Sequence, residues 1–148
     1  MKAFLLSVHV LAAILAIGPV AVAASMFPAA ARAAHLVPDD PRKNAVPGVL
    51  NRITRVYAVI GIFVPVFGIA TAAALGVLGD AWLIISMVLT AVAAVLLVGV
   101  ILPAQQRVLG TGTPDRRLAM STGLFNLLWA VVVVLMIVRP GSTTGAGR

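Results

Sequence analysis

The chain has 148 residues, 61% of them hydrophobic and 10% charged, with a formal net charge of +7. A water-soluble domain carries roughly a quarter of its residues charged, so a mean hydropathy of +1.12 excludes a soluble globule and leaves lipid as the solvent for most of the chain. Residues 1–148 have room for one small membrane unit and no separate soluble domain. The absence of cysteine excludes disulfides, thiolate metal sites and a cysteine nucleophile. Positive charge on this scale points to nucleic acid in a soluble protein. Beside a membrane it is first a topology signal, and no nucleic-acid partner is expected.

Roughly 20 apolar residues cross the hydrocarbon as a helix. Four runs reach that length, at about 4–24, 56–75, 82–102 and 118–138, and none contains Asp, Glu, Lys or Arg. None alternates polar and apolar residues as a barrel strand would. The expected fold is therefore all-α, a bundle of four transmembrane helices.

The first run opens like a leader, with Lys2 and then apolar residues to Ala24. It closes on "SMFPAAARAAH", residues 25–35, whose small residues have the spacing of a cleavage site. Two observations argue for retention. The connection 25–55, expected to include a helical extension, carries Arg32, Arg42, Lys43, Arg52 and Arg55; the connection 103–117 adds Arg107, Arg116 and Arg117. Excess Lys and Arg mark the cytoplasmic face. Both connections are then inside, both termini outside, and cleavage would leave the first group on the wrong side. Secondly, "MFPAAARAA" (26–34) is echoed by "ILPAQQRVL" (101–109) after the third run. "RVYAVIGIF" (55–63) is echoed by "RLAMSTGLF" (117–125) at the heads of the second and fourth runs. The chain reads as two related helical hairpins in parallel repeat, the first loop about a dozen residues longer than the third.

The second run carries Gly68, Ala72 and Gly76 at helical spacing, and the third carries Ser86, Thr90 and Ala94. With Ala12 and Ala16 in the first run and Thr122, Asn126 and Ala130 in the fourth, these stripes predict the packed faces. Pro19, Pro65 and Pro103 each remove a backbone donor and are expected to kink or loosen a helix. The segment "HLVPDDPRKNAVPG" (35–48) is long for a bundle connection and could dock a partner. Tyr57 and Trp82 are expected at opposite interfaces, and residues 139–148 as a frayed polar tail.

Two polar side chains lie within spans. Asn126, near the middle of the fourth, calls for partners such as Thr122 and a carbonyl of another helix; it is an interhelical clasp or a ligand contact. His9 lies about 7 Å outward from the middle of the first span, at the depth of Thr71, Ser86 and Met87. An ionisable residue in the membrane is a functional candidate. Its expected state is a neutral imidazole without metal, bonded to a hydroxyl or carbonyl at that depth, with Thr71 and Ser86 as candidates. The other histidine, His35, lies beyond the opposite face, so no bis-histidine haem can form within one chain. One Met and one His make a thin copper(I) site. No metal or cofactor is expected, and neither paired carboxylates, a phosphate loop nor a catalytic triad appears. Gly110-Thr111-Gly112 reads as a turn. Arg52, Arg55, Arg107, Arg116 and Arg117 are expected against anionic headgroups of the inner leaflet, each contributing about 1 kcal/mol.

"LSVHVLAAILAIGP" (6–19), "RVYAVIGIFVPVFGIATAAALG" (55–76) and "NLLWAVVVVLMIVRPG" (126–141) resemble a family of small bacterial four-helix integral membrane proteins, grouped as a domain of unknown function. The likeness covers nearly the whole chain and rests on His9 with Gly18, Gly61 with Gly68, and Asn126 with Arg139-Pro140-Gly141. His-then-Gly in a first helix also occurs in copper-resistance D proteins, which have more histidines. The resemblance implies four helices in a bacterial plasma membrane and assigns no activity. The leading functional expectation is a non-enzymatic accessory or scaffold subunit with a membrane-protein partner or a second copy of itself. The alternatives are a small transporter or lipid/ligand-binding bundle, and a redox helper holding haem or quinone at His9.

Overall fold

The computed structural model describes residues 1–141; positions 142–148 of the expected tail lie outside the described residues. The helices are α1 (Lys2–Leu36), α2 (Pro41–Ile60), α3 (Phe63–Leu75), α4 (Ala81–Leu96), α5 (Leu102–Thr111) and α6 (Arg116–Val138), with a π-helical turn at Leu97–Ile101. Taken through their irregular turns they form four rods, Lys2–Leu36, Pro41–Leu75, Ala81–Thr111 and Arg116–Val138, each long and apolar enough to cross a membrane. Ile14, Leu15, Val95 and Leu127 are each more than half exposed. Water would not tolerate such a surface around the whole waist of a bundle, whereas lipid tails do. This is a multi-pass, all-helical membrane protein.

The turns follow from single residues. Asp40 caps α2 by accepting from the Arg42 and Lys43 amides at 3.0 and 3.3 Å, with Pro41 in the first helical position where its missing N–H costs nothing. Asp115 caps α6 from the Arg117 amide at 2.8 Å. Gly76 and Gly112 end α3 and α5 in the left-handed region, at φ 76° and 67°. The expected long loop at 35–48 is therefore a four-residue turn, 37–40, because Asp40 and Pro41 start a helix early and Pro47 is accommodated inside it. Gly110 and Thr111 likewise belong to α5, and only Gly112 is the turn residue.

The three expected kinks have three outcomes. Pro65 cannot donate to the Gly61 carbonyl; the Val64 amide does so instead at 3.1 Å, and the chain breaks at Gly61-Ile62 between α2 and α3. Pro103 cannot serve Gly99, and the preceding turn widens so that the Leu102 amide reaches the Leu97 carbonyl, which makes the π turn. Pro19, and Pro28 nine residues on, leave α1 continuous in its helical assignment.

α1 is 35 residues long, about 52 Å against about 30 Å of hydrocarbon. α1, α2 and α5 thus run past the apolar spans at the arginine-rich end. The main core lies there, with Phe27, Ala31, Leu50, Ala104 and Val108 joined by Leu118 and Phe125. A smaller cluster of Ala72, Trp82 and Leu83 sits at the opposite end, which carries Met1 and Arg139. Measured from Arg55 and Arg117 as equivalent points, α2 has fourteen helical residues ahead of Arg55, whereas α6 has the single residue Arg116 ahead of Arg117. The extra length of the first connection is helix.

Candidate functional site: a cleft between the hairpins

α1 packs along α2 and α3, and α4 along α6, whereas α3 meets α4 and α6 in the small cluster of Ala72, Trp82, Leu83 and Met136. The rods pack together at the arginine-rich end, and at the other end Ala72, Trp82 and Leu83 join the second rod to the third. Between α1/α3 and α4/α6 they leave a cleft of about 1570 Å³. Along α6 its wall runs from Trp129 to Arg139, about 15 Å by helical rise and so about one leaflet deep. Small residues create the space: Ala13, Gly18, Gly68, Ala91, Ala94 and Ala130 all face it. Here the packing stripes differ from expectation. Ala16, Ala72, Ser86 and Thr122 are buried, but Ala94 and Ala130 are exposed, because at their level the cleft replaces the neighbouring helix.

His9 is buried, 8% exposed, and lies on the cleft wall. Its Nδ1 is 2.9 Å from the Val64 carbonyl oxygen on α3. Neither expected partner is used. Thr71 donates to the Phe67 carbonyl at 2.7 Å and Ser86 to the Trp82 carbonyl at 2.8 Å, each within its own helix. In apolar surroundings a hydroxyl takes the carbonyl four residues back, which is always within reach. The imidazole meets Val64 because α3 has no side chain at Gly68. A Cβ built there would lie 2.9 Å from His9 Cε1 and 3.2 Å from Nδ1. Thr90 Oγ1 donates to the Ser86 carbonyl at 2.8 Å, so the cleft's two threonines keep only acceptor capacity toward it. At the mouth, the Arg139 guanidinium lies 5.4 Å over the Trp82 ring, whose Nε1 donates to Asp80 at 2.9 Å.

Asn126 does bridge helices, but to a different group from those expected. Its Nδ2 donates to Ser25 Oγ of α1 at 2.8 Å, while Thr122 donates to the Leu118 carbonyl. Asn126 Oδ1 and Trp129 Nε1, one turn apart on α6, are both buried without a partner. Asn126→Leu should lower unfolding stability in detergent by about 0.6–2 kcal/mol, the range of measured intramembrane hydrogen bonds. Ser25→Ala should reproduce most of that loss. Full stability in both variants would remove the clasp.

A polar chain at the arginine-rich end was not anticipated. Arg55 Nη2 donates to Asn51 Oδ1 at 3.1 Å, and Asn51 Nδ2 donates to Gln105 Oε1 at 2.9 Å. Arginine only donates, which fixes the orientation of both amides. Asn51 is 2% and Gln105 0% exposed, and Gln105 Nε2 has no partner. The available signal was the spacing Asn51…Arg55, which puts both on one face of a helix. Reading 25–55 as mainly connection concealed it.

Arg52, Arg55, Arg107, Arg116 and Arg117 are all exposed at this end. Arg52 and Arg55 border a groove of about 530 Å³ with Gly48, Asn51, Val56 and Leu109. His35 is exposed on α1, 26 residues from His9, about 39 Å along the axis. Among the described residues no group of three or more His, Cys, Asp or Glu converges on a metal position.

The class defined by this geometry is a four-rod helical membrane bundle with an apolar cleft in one half of its thickness. Comparison with protein-family models, with curated proteins and with solved structures finds no match to this chain.

Proposed function

We propose that the protein is a non-enzymatic membrane bundle that takes up the apolar chain of a membrane-resident amphiphile in the cleft between its hairpins. The cleft itself carries this reading. Ligand sites are concave and mostly apolar with a few convergent polar groups, and usually occupy about 300–1,000 Å³. At about 1570 Å³ this one exceeds a small metabolite and suits a long-chain molecule. Its one-leaflet depth supports entry from the bilayer rather than from water.

Trp82 and Trp129 both line the cleft and are the chain's only tryptophans. In liposomes, 11-bromoundecane should therefore quench tryptophan fluorescence saturably, and Ala94→Phe with Ala130→Phe should abolish the saturable part. Quenching that rises linearly and is unchanged by filling the cleft would dismiss the proposal. The accessory-subunit reading stands second, on the observation that Ile14, Ile69 and Val133 beside the cleft are exposed. In that case a transmembrane protein copurifies at fixed stoichiometry and the saturable quenching is missing.

The same reading places the arginine-rich end in the cytoplasm of a bacterium and retains α1 in the plasma membrane. The eight Lys and Arg of the two connections support that orientation. The five exposed arginines then meet anionic headgroups. Single cysteines at Gly79 and at Asn44, in an otherwise cysteine-free chain, separate the alternatives. An impermeant thiol reagent on intact cells should label position 79 and spare position 44. The reverse pattern would invert the topology.

A further inference from the structure

We infer that His9 makes the cleft selective for amphiphiles that carry a hydroxyl group, with Nε2 of the neutral ring accepting the hydrogen bond. This rests on the cleft being a binding site and adds the chemical class of its ligand.

The tautomer follows from the partner. A carbonyl oxygen only accepts, so the 2.9 Å contact between Nδ1 and the Val64 carbonyl requires the proton on Nδ1. In the uncharged ring Nε2 is then a lone pair. Among the described residues it has no hydrogen-bond partner, and it is not among their buried unpartnered atoms, which are Gln105 Nε2, Asn126 Oδ1 and Trp129 Nε1. The ring borders the cleft and packs against α3 at Gly68. Thr71 and Thr90 cannot satisfy it, since they spend their protons on their own helices, and the unpartnered Trp129 Nε1 of the cleft wall makes no bond to it. An acceptor in apolar surroundings favours a ligand that brings a donor and disfavours one offering only ether or carbonyl oxygens, which would leave two lone pairs facing each other. The depth agrees. His9 sits inside the apolar span, where a lone hydroxyl is tolerable and a phospholipid headgroup is not. Long-chain alcohols, sterol-like alcohols and hydroquinones share the required chemistry; their ethers, ketones and quinones lack it.

The test compares 11-bromoundecan-1-ol with its methyl ether as quenchers of Trp82 and Trp129 in liposomes. The alcohol-to-ether affinity ratio of the wild type is divided by that of His9→Phe, which cancels the different partitioning of the two probes into lipid. The expected quotient is about three- to tenfold in favour of the alcohol, the worth of one intramembrane hydrogen bond. A quotient of one, with saturable quenching intact, overturns the selectivity and leaves the binding proposal standing. No saturable quenching by either probe overturns both.

Because His9→Phe could disturb folding, a second measurement uses ¹⁵N-histidine-labelled His35→Gln protein, whose remaining histidine signal is His9. Its Nε2 should be unprotonated in the empty protein and shift on saturation with the alcohol but not with the ether. An Nε2-protonated ring, or no shift, overturns the inference.

Discussion

Phe27→Ala is expected to cost about 3–5 kcal/mol, the largest loss from any single truncation in this chain. Phe27 is fully buried, at 0% exposure, in the core where α1 meets α2, α5 and α6. Its position matters as much as its size. In the middle of a bilayer a phenyl ring gains little by leaving lipid for protein, since both are apolar. Phe27 lies beyond the apolar run of α1, at the arginine-rich end where the rods meet interfacial water. There burial removes apolar surface from water, and the hydrophobic effect contributes in full. Phe4, 70% exposed in the same helix, provides the comparison, and Phe4→Ala should stay within about 0.5 kcal/mol of wild type. The check is reversible unfolding in mixed micelles. A Phe27→Ala loss below about 1 kcal/mol would mean that this end is not the anchor of the fold.

Gly68→Ala should be the most damaging one-carbon addition. The new Cβ would lie 2.9 Å from His9 Cε1 with the ring as placed, so the ring must move and the Val64 bond must lengthen or break. Overpacking of this kind costs about 1–3 kcal/mol. The origin of the cost can be isolated by a double-mutant cycle, since in a His9→Ala background nothing occupies the space and Gly68→Ala should become nearly neutral. A penalty that persists without the imidazole would locate the strain elsewhere on α3. Gly79, whose added Cβ would meet nothing within 4 Å, should accept alanine without comparable loss.

Much of the architecture was legible because lipid imposes it. A bilayer permits few backbone solutions, so four uncharged apolar runs of spanning length become four rods. The irregular turns were partly legible as well. Proline always removes the same donor, yet whether a helix breaks (Pro65), widens (Pro103) or continues (Pro19) depends on what lies around the vacated carbonyl. The stripe of Ser86, Thr90 and Ala94 pointed to one face, but not to the loss of its neighbour partway along.

What the sequence by itself determined is the solvent, the number of rods, the uneven distribution of charge, and His9 and Asn126 as the polar groups to explain. Each is a property of composition or one-dimensional spacing, which burial in lipid converts directly into structure. Partner choice was decided by tertiary structure alone. His9 bonds to Val64 rather than to Thr71 or Ser86, because hydroxyls satisfy themselves within their own helices while an imidazole must reach a neighbour, and Gly68 leaves room for it. The cleft also belongs to that level. It exists because the rods are held apart between the main core at the arginine-rich end and the Ala72, Trp82 and Leu83 cluster at the other, and the distance between two rods is written in neither of them.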